Sequence, residues 1–195
     1  MKITMDGADF NRIMRVCIPS LEKKNGQHIA LEHIEIRCAN GVGAATGCNG
    51  FWLTQCRFEY EGDDGTFLLP RHRNVANGSR VTITTKGDKI SISDGEETVT
   101  RKLCANTTLD FGKIVSTQEE KPQAATITLS AGKLRRILNA YDHDDDAVTF
   151  EIREGLAGVV MRAPATYGML LPLRMDEQQH LARFVKPGEE GAKND

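Results

Sequence analysis

The sequence predicts an α+β fold built from repeated β-α-β-β-β units. The stretch Ala125–Met175 carries one complete copy. Within it Thr126–Leu129 alternates polar and apolar residues as a half-buried strand does. Ser130 then offers an N-cap, and Leu134, Ile137, Leu138 and Tyr141 follow at helical spacing. Val148–Arg153 and Gly158–Ala163 are further strand candidates, and in the closing apolar run Tyr167–Met175 a buried strand is expected over Met169–Leu173, interrupted by Pro172. A second observation is that the chain opens on the same pattern. Aligning Lys2-Ile3-Thr4-Met5 with Thr126-Ile127-Thr128-Leu129 brings Phe10, Ile13, Met14 and Cys17 onto Leu134, Ile137, Leu138 and Tyr141, and Arg12 onto Arg136. Apolar and basic faces repeat together. A weaker third copy lies between, from Thr66-Phe67-Leu68-Leu69 to Val81-Thr82-Ile83-Thr84. The copies recur at roughly 60 residues, which argues for repeated half-domains and not for a stacked solenoid.

In chain order, Met1–Met5 is the first strand, and Asp6 caps a helix reaching about Ile18, where Pro19 stops it. Ile29–Arg37 and Val42–Thr46 pair across the Ala39-Asn40-Gly41 turn, and Phe51–Tyr60 is the next strand. Gly65–Leu69 starts the second unit. Its helix position, Pro70–Ser79, holds Pro, Gly and several Asn, so a short turn or degenerate helix is expected there. Arg80–Thr85, Lys89–Ser93 and Glu97–Leu103 are strands joined by Gly-containing turns. The domain expectation is a full domain over 1–117, a linker over 118–124 containing Pro122, a half-domain over 125–175 and a polar, partly disordered tail over 176–195.

A chain of 195 residues with 39% apolar content has length enough for a substantial core. No apolar run approaches the roughly 18 residues of a membrane-spanning helix, and the start does not resemble a signal peptide, so a cytoplasmic protein without membrane association is expected. Five cysteines (17, 38, 48, 56 and 104) show no paired spacing and read as buried thiols. The net charge of −2 argues against indiscriminate coating of nucleic acid. Charge is nevertheless segregated. The proposed helices carry Arg12, Arg15, Lys133, Arg135 and Arg136, while acid collects in turns such as Glu61–Asp64, Asp94–Glu97 and Asp142–Asp146. Consecutive residues in one turn cannot all converge on an ion, so Asp142–Asp146 is not taken as a metal site, and no cofactor or catalytic motif is found.

Specific stretches resemble the bacterial DNA sliding clamp family, typified by the polymerase III beta subunit. Leu31-x-x-Ile34-x-Ile36 followed by Gly41–Leu53 resembles the clamp strand pair and its turn. Phe67-Leu68-Leu69-Pro70 resembles the strand that opens a domain's second half, and Leu103–Ile114 the Leu-Pro-x-x-Asp-Phe-Pro stretch that closes a domain. Tyr167–Met175 resembles the C-terminal Tyr-x-x-Met-Pro-Met-Arg-Leu. The chain departs from the family in holding about one and a half domains, in its degraded second helix, in Asn49 within the turn and in one residue inserted before Pro172.

The resemblance implies a DNA-clamp fold and a non-enzymatic processivity factor. Such a protein self-associates around duplex DNA, as a homodimer or larger ring, and tethers replication or repair proteins. The helix residues carried over as phosphate contacts are Arg12, Arg15, Lys133, Arg135 and Arg136, with Lys23, Lys24, Arg71 and Arg73 as additions. Loose, salt-sensitive phosphate contacts permit sliding where base contacts would arrest it. A partner-peptide pocket is implied along Met169, Leu171, Pro172, Leu173, Arg174 and Met175. The tail spacing Gln178-x-x-Leu181-x-x-Phe184 matches clamp-binding peptides. The alternative is a clamp-like protein-interaction module that does not encircle DNA, and a metal-dependent nucleotide enzyme using Asp142–Asp146 is disfavoured.

Overall fold

The computed structural model describes residues 1–22, 29–49, 53–104, 110–111, 115, 127, 129–139, 148–152, 159–162 and 167–170. The chain forms two compact units, the first holding Met1–Ser116 and the second Thr117–Arg183.

In the first unit, β1 (Lys2–Asp6) turns Ile3 and Met5 inward at 1% and 2% exposure, as its alternation demands. Helix α1 (Gly7–Cys17) follows, and Phe10, Ile13, Met14 and Cys17 all become buried. An 11-residue helix is marginal in water alone. Burying four such side chains, at about 1.5–3 kcal/mol for each large apolar one, is what holds it. Asp6 sits at the N-cap position but makes no side-chain cap bond and lies 3.5 Å from Arg80 instead. Pro19 ends the helix as expected, in a 3₁₀ turn at Ile18–Ser20.

Among the described residues of the first unit, nine strands build two sheets. β2 (Ile34–Ala39), β3 (Val42–Cys48), β4 (Leu53–Glu59) and β6 (Gly65–Leu69) are ordered β4-β3-β2-β6, all antiparallel. The short β5 (Glu61–Gly62) and β7 (Arg80–Lys86), β8 (Lys89–Ser93) and β9 (Thr98–Lys102) join β1 in the order β5-β1-β7-β8-β9. The repeats are therefore not self-contained. β1 opens the first repeat yet pairs with β7 of the second, Ile3 opposite Ile83 and Met5 opposite Val81. β6 opens the second repeat yet pairs with β2 of the first, Ile36 opposite Phe67 and Ile34 opposite Leu69. All eight of these side chains are at most 2% exposed and belong to one core.

Three local readings need correction. The strand expected from Ile29 starts only at Ile34, because Ile29–Glu32 is a 3₁₀ turn. The acidic stretch Glu61–Asp64 is not a solvated turn alone: Glu61–Gly62 pairs with β1, and the Asp63 carboxylate accepts the Lys2 N–H at 2.7 Å. Gly62 has φ +124°, and a Cβ there would lie 2.2 Å from the Lys2 carbonyl oxygen, so only glycine fits. Asn40 and Gly41 both take positive φ, the hairpin geometry that an Asn-Gly pair favours. Cys17, Cys38 and Cys48 are buried, but Cys56 and Cys104 are only half-buried.

In the second unit, α2 (Ala131–Leu138) begins at Ser130, whose hydroxyl oxygen accepts the Lys133 N–H at 3.4 Å. β10 (Thr149–Glu151), β11 (Val159–Arg162) and β12 (Tyr167–Leu170) form an antiparallel sheet in that order. Ile127 and Leu129 are not in a sheet, so the strand predicted over Thr126–Leu129 is not formed at its described residues. The final strand, predicted over Met169–Leu173, starts two residues earlier at Tyr167 and is described only as far as Leu170, and the proposed linker, Tyr141, the turn Asp142–Asp146 and the tail lie outside the described residues. Phe150 and Met161 are opposite in register, so Phe150 shares a sheet face with Met161 and, by alternation, with Ile152, Val159 and Leu170. Val159, Met161 and Leu170 are buried while Phe150 and Ile152 stay 46% and 49% exposed. Leu134, Ile137 and Leu138 of α2 are only half-buried. The core of this unit is covered at β11 and β12 and open at β10.

β3 passes under the end of α1 at Gly47, where a Cβ would lie 2.5 Å from the Cys17 carbonyl oxygen. Gly47→Ala is expected to cost about 1–3 kcal/mol, as overpacked sites do, and an unchanged denaturation midpoint would contradict this packing. Glu35 is 2% exposed, and burial pushes its carboxyl above the usual 4.5 despite the Arg37 guanidinium beside it. The folded state thus holds this proton more tightly than the unfolded chain does. Its contribution to stability is fully present below 4.5 and is lost as pH rises through the folded value. Stability of Glu35→Gln relative to the parent should therefore rise as pH is raised from about 4 towards neutrality, and a difference that stays flat would refute this account of Glu35.

Candidate nucleic-acid interface

The basic face of α1 is set by the same periodicity that sets its core face. With Phe10, Ile13, Met14 and Cys17 inward, Arg12 and Arg15 must point out, and both are exposed. Arg15 has no ion-pair partner among the described residues. Arg12 is held: its guanidinium donates to the Asp9 carboxylate at 2.9 Å and to the Arg57 carbonyl of β4. The exposed Arg12–Asp9 pair contributes only a few tenths of a kcal/mol, so it orients Arg12 without preventing exchange for a phosphate.

Beside α1 runs the segment Pro70–Ser79, the position of the degenerate second helix. It is an irregular segment ending in a turn, in line with its Pro, Gly and Asn content. Asn11 fixes it. The Asn11 amide donates to the Val75 carbonyl at 2.8 Å and to the Asn77 side chain at 2.8 Å, and its oxygen accepts the Val75 N–H at 2.9 Å. One side chain thereby pairs with the backbone much as a strand would. His72 packs edge-on against Phe10, with ring centroids 5.6 Å apart. Between helix and segment lies an open depression of about 830 Å³ lined by Asp9, Asn11, Arg12, Arg15, Asn74 and Asn77. Beside the apolar Ala8, Met14, Ile18 and Pro19, that lining offers two guanidinium groups and three amides as donors suited to phosphate oxygens, with the Asp9 carboxylate among them.

The other candidate cations fare unequally. Arg71 donates to the Leu21 and Glu22 carbonyls at 3.2 and 3.0 Å and serves the fold. Arg73 is paired with Glu97 across the second repeat. Lys133, Arg135 and Arg136 are exposed on α2, in the second unit. Lys23 and Lys24 lie outside the described residues. Of the implied peptide pocket only Met169 is described, 55% exposed on β12; Leu171, Pro172, Leu173, Arg174 and Met175 lie outside, as do Gln178, Leu181 and Phe184. Asn11 carried no signal in the sequence beyond its place on the polar face. No group of three metal-ligating side chains occurs among the described residues, and no described helix is long and apolar enough to cross a membrane.

The fold is that of the DNA sliding clamps. The chain superposes on the DNA polymerase III beta subunit of Pseudomonas aeruginosa with a TM-score of 0.71 at 13% identity, covering 88% of this chain and 51% of that one. The beta subunit of Thermotoga maritima matches with a TM-score of 0.68 at 16% identity, over 88% and 50% of the two chains. The DNA polymerase sliding clamp of Bacillus subtilis matches at 0.69 and 10%, over 88% and 49%. The chain thus spans about half the length of the clamps it resembles. No protein-family model and no curated protein sequence matches it.

Asn11→Ala removes three hydrogen bonds and leaves the Val75 backbone groups without that partner. Stability should fall by about 1–3 kcal/mol, and amide exchange at Val75 should accelerate relative to β7. Unaltered protection at Val75 would show that Asn11 does not hold the segment.

Proposed function

We propose that the chain is a non-enzymatic, clamp-type processivity protein that associates with itself around duplex DNA and tethers replication or repair proteins. The observation that carries this reading is the outward cationic face of α1, formed on a clamp fold by the same periodicity that builds its core. Arg12 and Arg15, with Lys133, Arg135 and Arg136 of α2, are the groups that would meet phosphates. Arg71, Arg73, Lys23 and Lys24 are secondary. The domain division, the pocket at Met169–Met175, the tail spacing Gln178–Phe184 and a cytoplasmic setting belong to the same proposal.

Self-association is supported by the second unit's exposed apolar residues. Phe150 and Ile152, on and beside β10, are 46% and 49% exposed. In the first unit the strand that follows the helix, β2, keeps Ile34 and Ile36 wholly buried because β6 of the other repeat pairs along its edge. A second chain supplying an equivalent strand would complete β10 in the same way.

One observation favours the alternative, a clamp-like interaction module that does not encircle DNA. Where a second cationic helix could lie beside α1 there is an irregular segment whose Arg73 is already paired with Glu97. Both readings meet in one titration. Arg12→Glu combined with Arg15→Glu should weaken binding to a random-sequence duplex at 50 mM salt by about tenfold or more. The salt dependence should also become shallower by about 0.9 in log–log slope per lost phosphate contact. Parent protein that ignores duplex DNA even at low salt would sink the DNA reading and leave the interaction module.

A further inference from the structure

Beneath the cationic face of α1 lies a pair of thiols that DNA binding does not use. Cys17, the last residue of α1, is wholly buried, and its Sγ donates to the Ala45 carbonyl of β3 at 3.4 Å. Ala45 stands directly opposite Cys56 in the β3–β4 register, so their side chains leave the sheet on one face, the face that α1 covers. Cys56 is also among the half-buried side chains that pack against the core cluster holding Cys17. Cys56 is half-buried, which admits a small reagent from the β4 side. Of the remaining cysteines, Cys38 and Cys48 are buried, and Cys104 contacts the His33 ring at 3.2 Å.

We propose that Cys56 and Cys17 form a peroxide-reactive dithiol that closes a reversible disulfide between α1 and β4. Cys56 is the attacking sulfur and Cys17 the resolving one. The neighbouring Cys17 thiol first, and the Arg12 guanidinium after it, hold the Cys56 thiol below the usual value for cysteine, against burial and the Asp9 carboxylate. The Cys17 thiol is pushed well up, by the neighbouring Cys56 first and by burial second, so it keeps its proton. In the first step the Cys56 thiolate attacks one peroxide oxygen. An S–O bond forms, the O–O bond breaks, and the departing hydroxide takes up, as water, the proton that Cys56 released on ionising, while sulfur is oxidised to the sulfenic acid. In the second step the Cys17 sulfur attacks that sulfur. The S–S bond forms, the S–O bond breaks, and the proton that Cys17 held goes to the leaving hydroxide as water. Two thiols and one hydrogen peroxide give one disulfide and two waters. The product would tether the helix carrying Arg12 and Arg15 to its sheet, independently of whether DNA is the partner.

The test is peptide mapping of the purified chain after stoichiometric hydrogen peroxide, with iodoacetamide marking free thiols. Expected are a protein lighter by about 2 Da, a Cys17–Cys56 linked peptide, full alkylation at Cys38, Cys48 and Cys104 after unfolding, and complete reversal by dithiothreitol. Cys56 accumulating as sulfinic acid while Cys17 remains alkylatable would overturn the proposal, as would linkage through any other cysteine. Cys17→Ser should leave a Cys56 sulfenic acid trappable by dimedone. If that buried variant does not fold, the half-buried Cys56→Ser serves: it should abolish oxidation at Cys17, and continued oxidation there overturns the assignment.

Discussion

The exchange of opening strands is the constraint on which the first unit depends. β1 runs along β7 and β6 along β2, so neither repeat has a complete sheet without the other. Ile3, Met5, Val81 and Ile83 fill one pairing, and Ile34, Ile36, Phe67 and Leu69 the other, and all are buried. A one-residue slip in either register would turn one of these sets to the opposite sheet face. The position of α1 follows, because its apolar stripe packs on the core the exchanged strands complete, and the direction of Arg12 and Arg15 follows from that stripe. The direction of this cationic face is thus a consequence of the strand exchange in the core on which α1 packs.

The second unit shows what the same pattern does when no exchange partner is described beside it. Its helix is capped as the sequence directs, and its three strands pair in order. Its core is nevertheless half covered, with Phe150 and Ile152 exposed on the face where Val159, Met161 and Leu170 are buried. Exposed apolar side chains gathered at one sheet edge mark an interaction surface more often than a tolerated defect. The two units together explain why self-association enters the functional reading at all.

Much of this was legible in the sequence, for identifiable reasons. The α1 stripe, the stop at Pro19, the Asn40-Gly41 hairpin and the non-helical Pro70–Ser79 segment are each fixed by residues close in sequence. The repeat was legible because core and basic positions recur together. Strand exchange was not, since a period reports what each strand buries and not which strand lies beside it. The pairing of Glu61–Gly62 with β1 was missed because an acidic Gly-containing stretch looks like a solvated turn until its backbone partner is known. Asn11 was missed for a related reason: a polar residue on a polar helix face gives no sign that it holds Val75 and Asn77, 64 and 66 residues away. The loss of Arg71 and Arg73 to internal partners was equally invisible, because a cation's partner is a tertiary fact.

The central claim is that this clamp fold assembles with itself to hold DNA, and solution mass by light scattering tests it most directly. The chain would be measured across micromolar concentrations, with and without a short duplex, at low and high salt. A defined oligomer that takes up duplex only at low salt is the predicted result. A strict monomer, indifferent to duplex under every condition, would contradict the account.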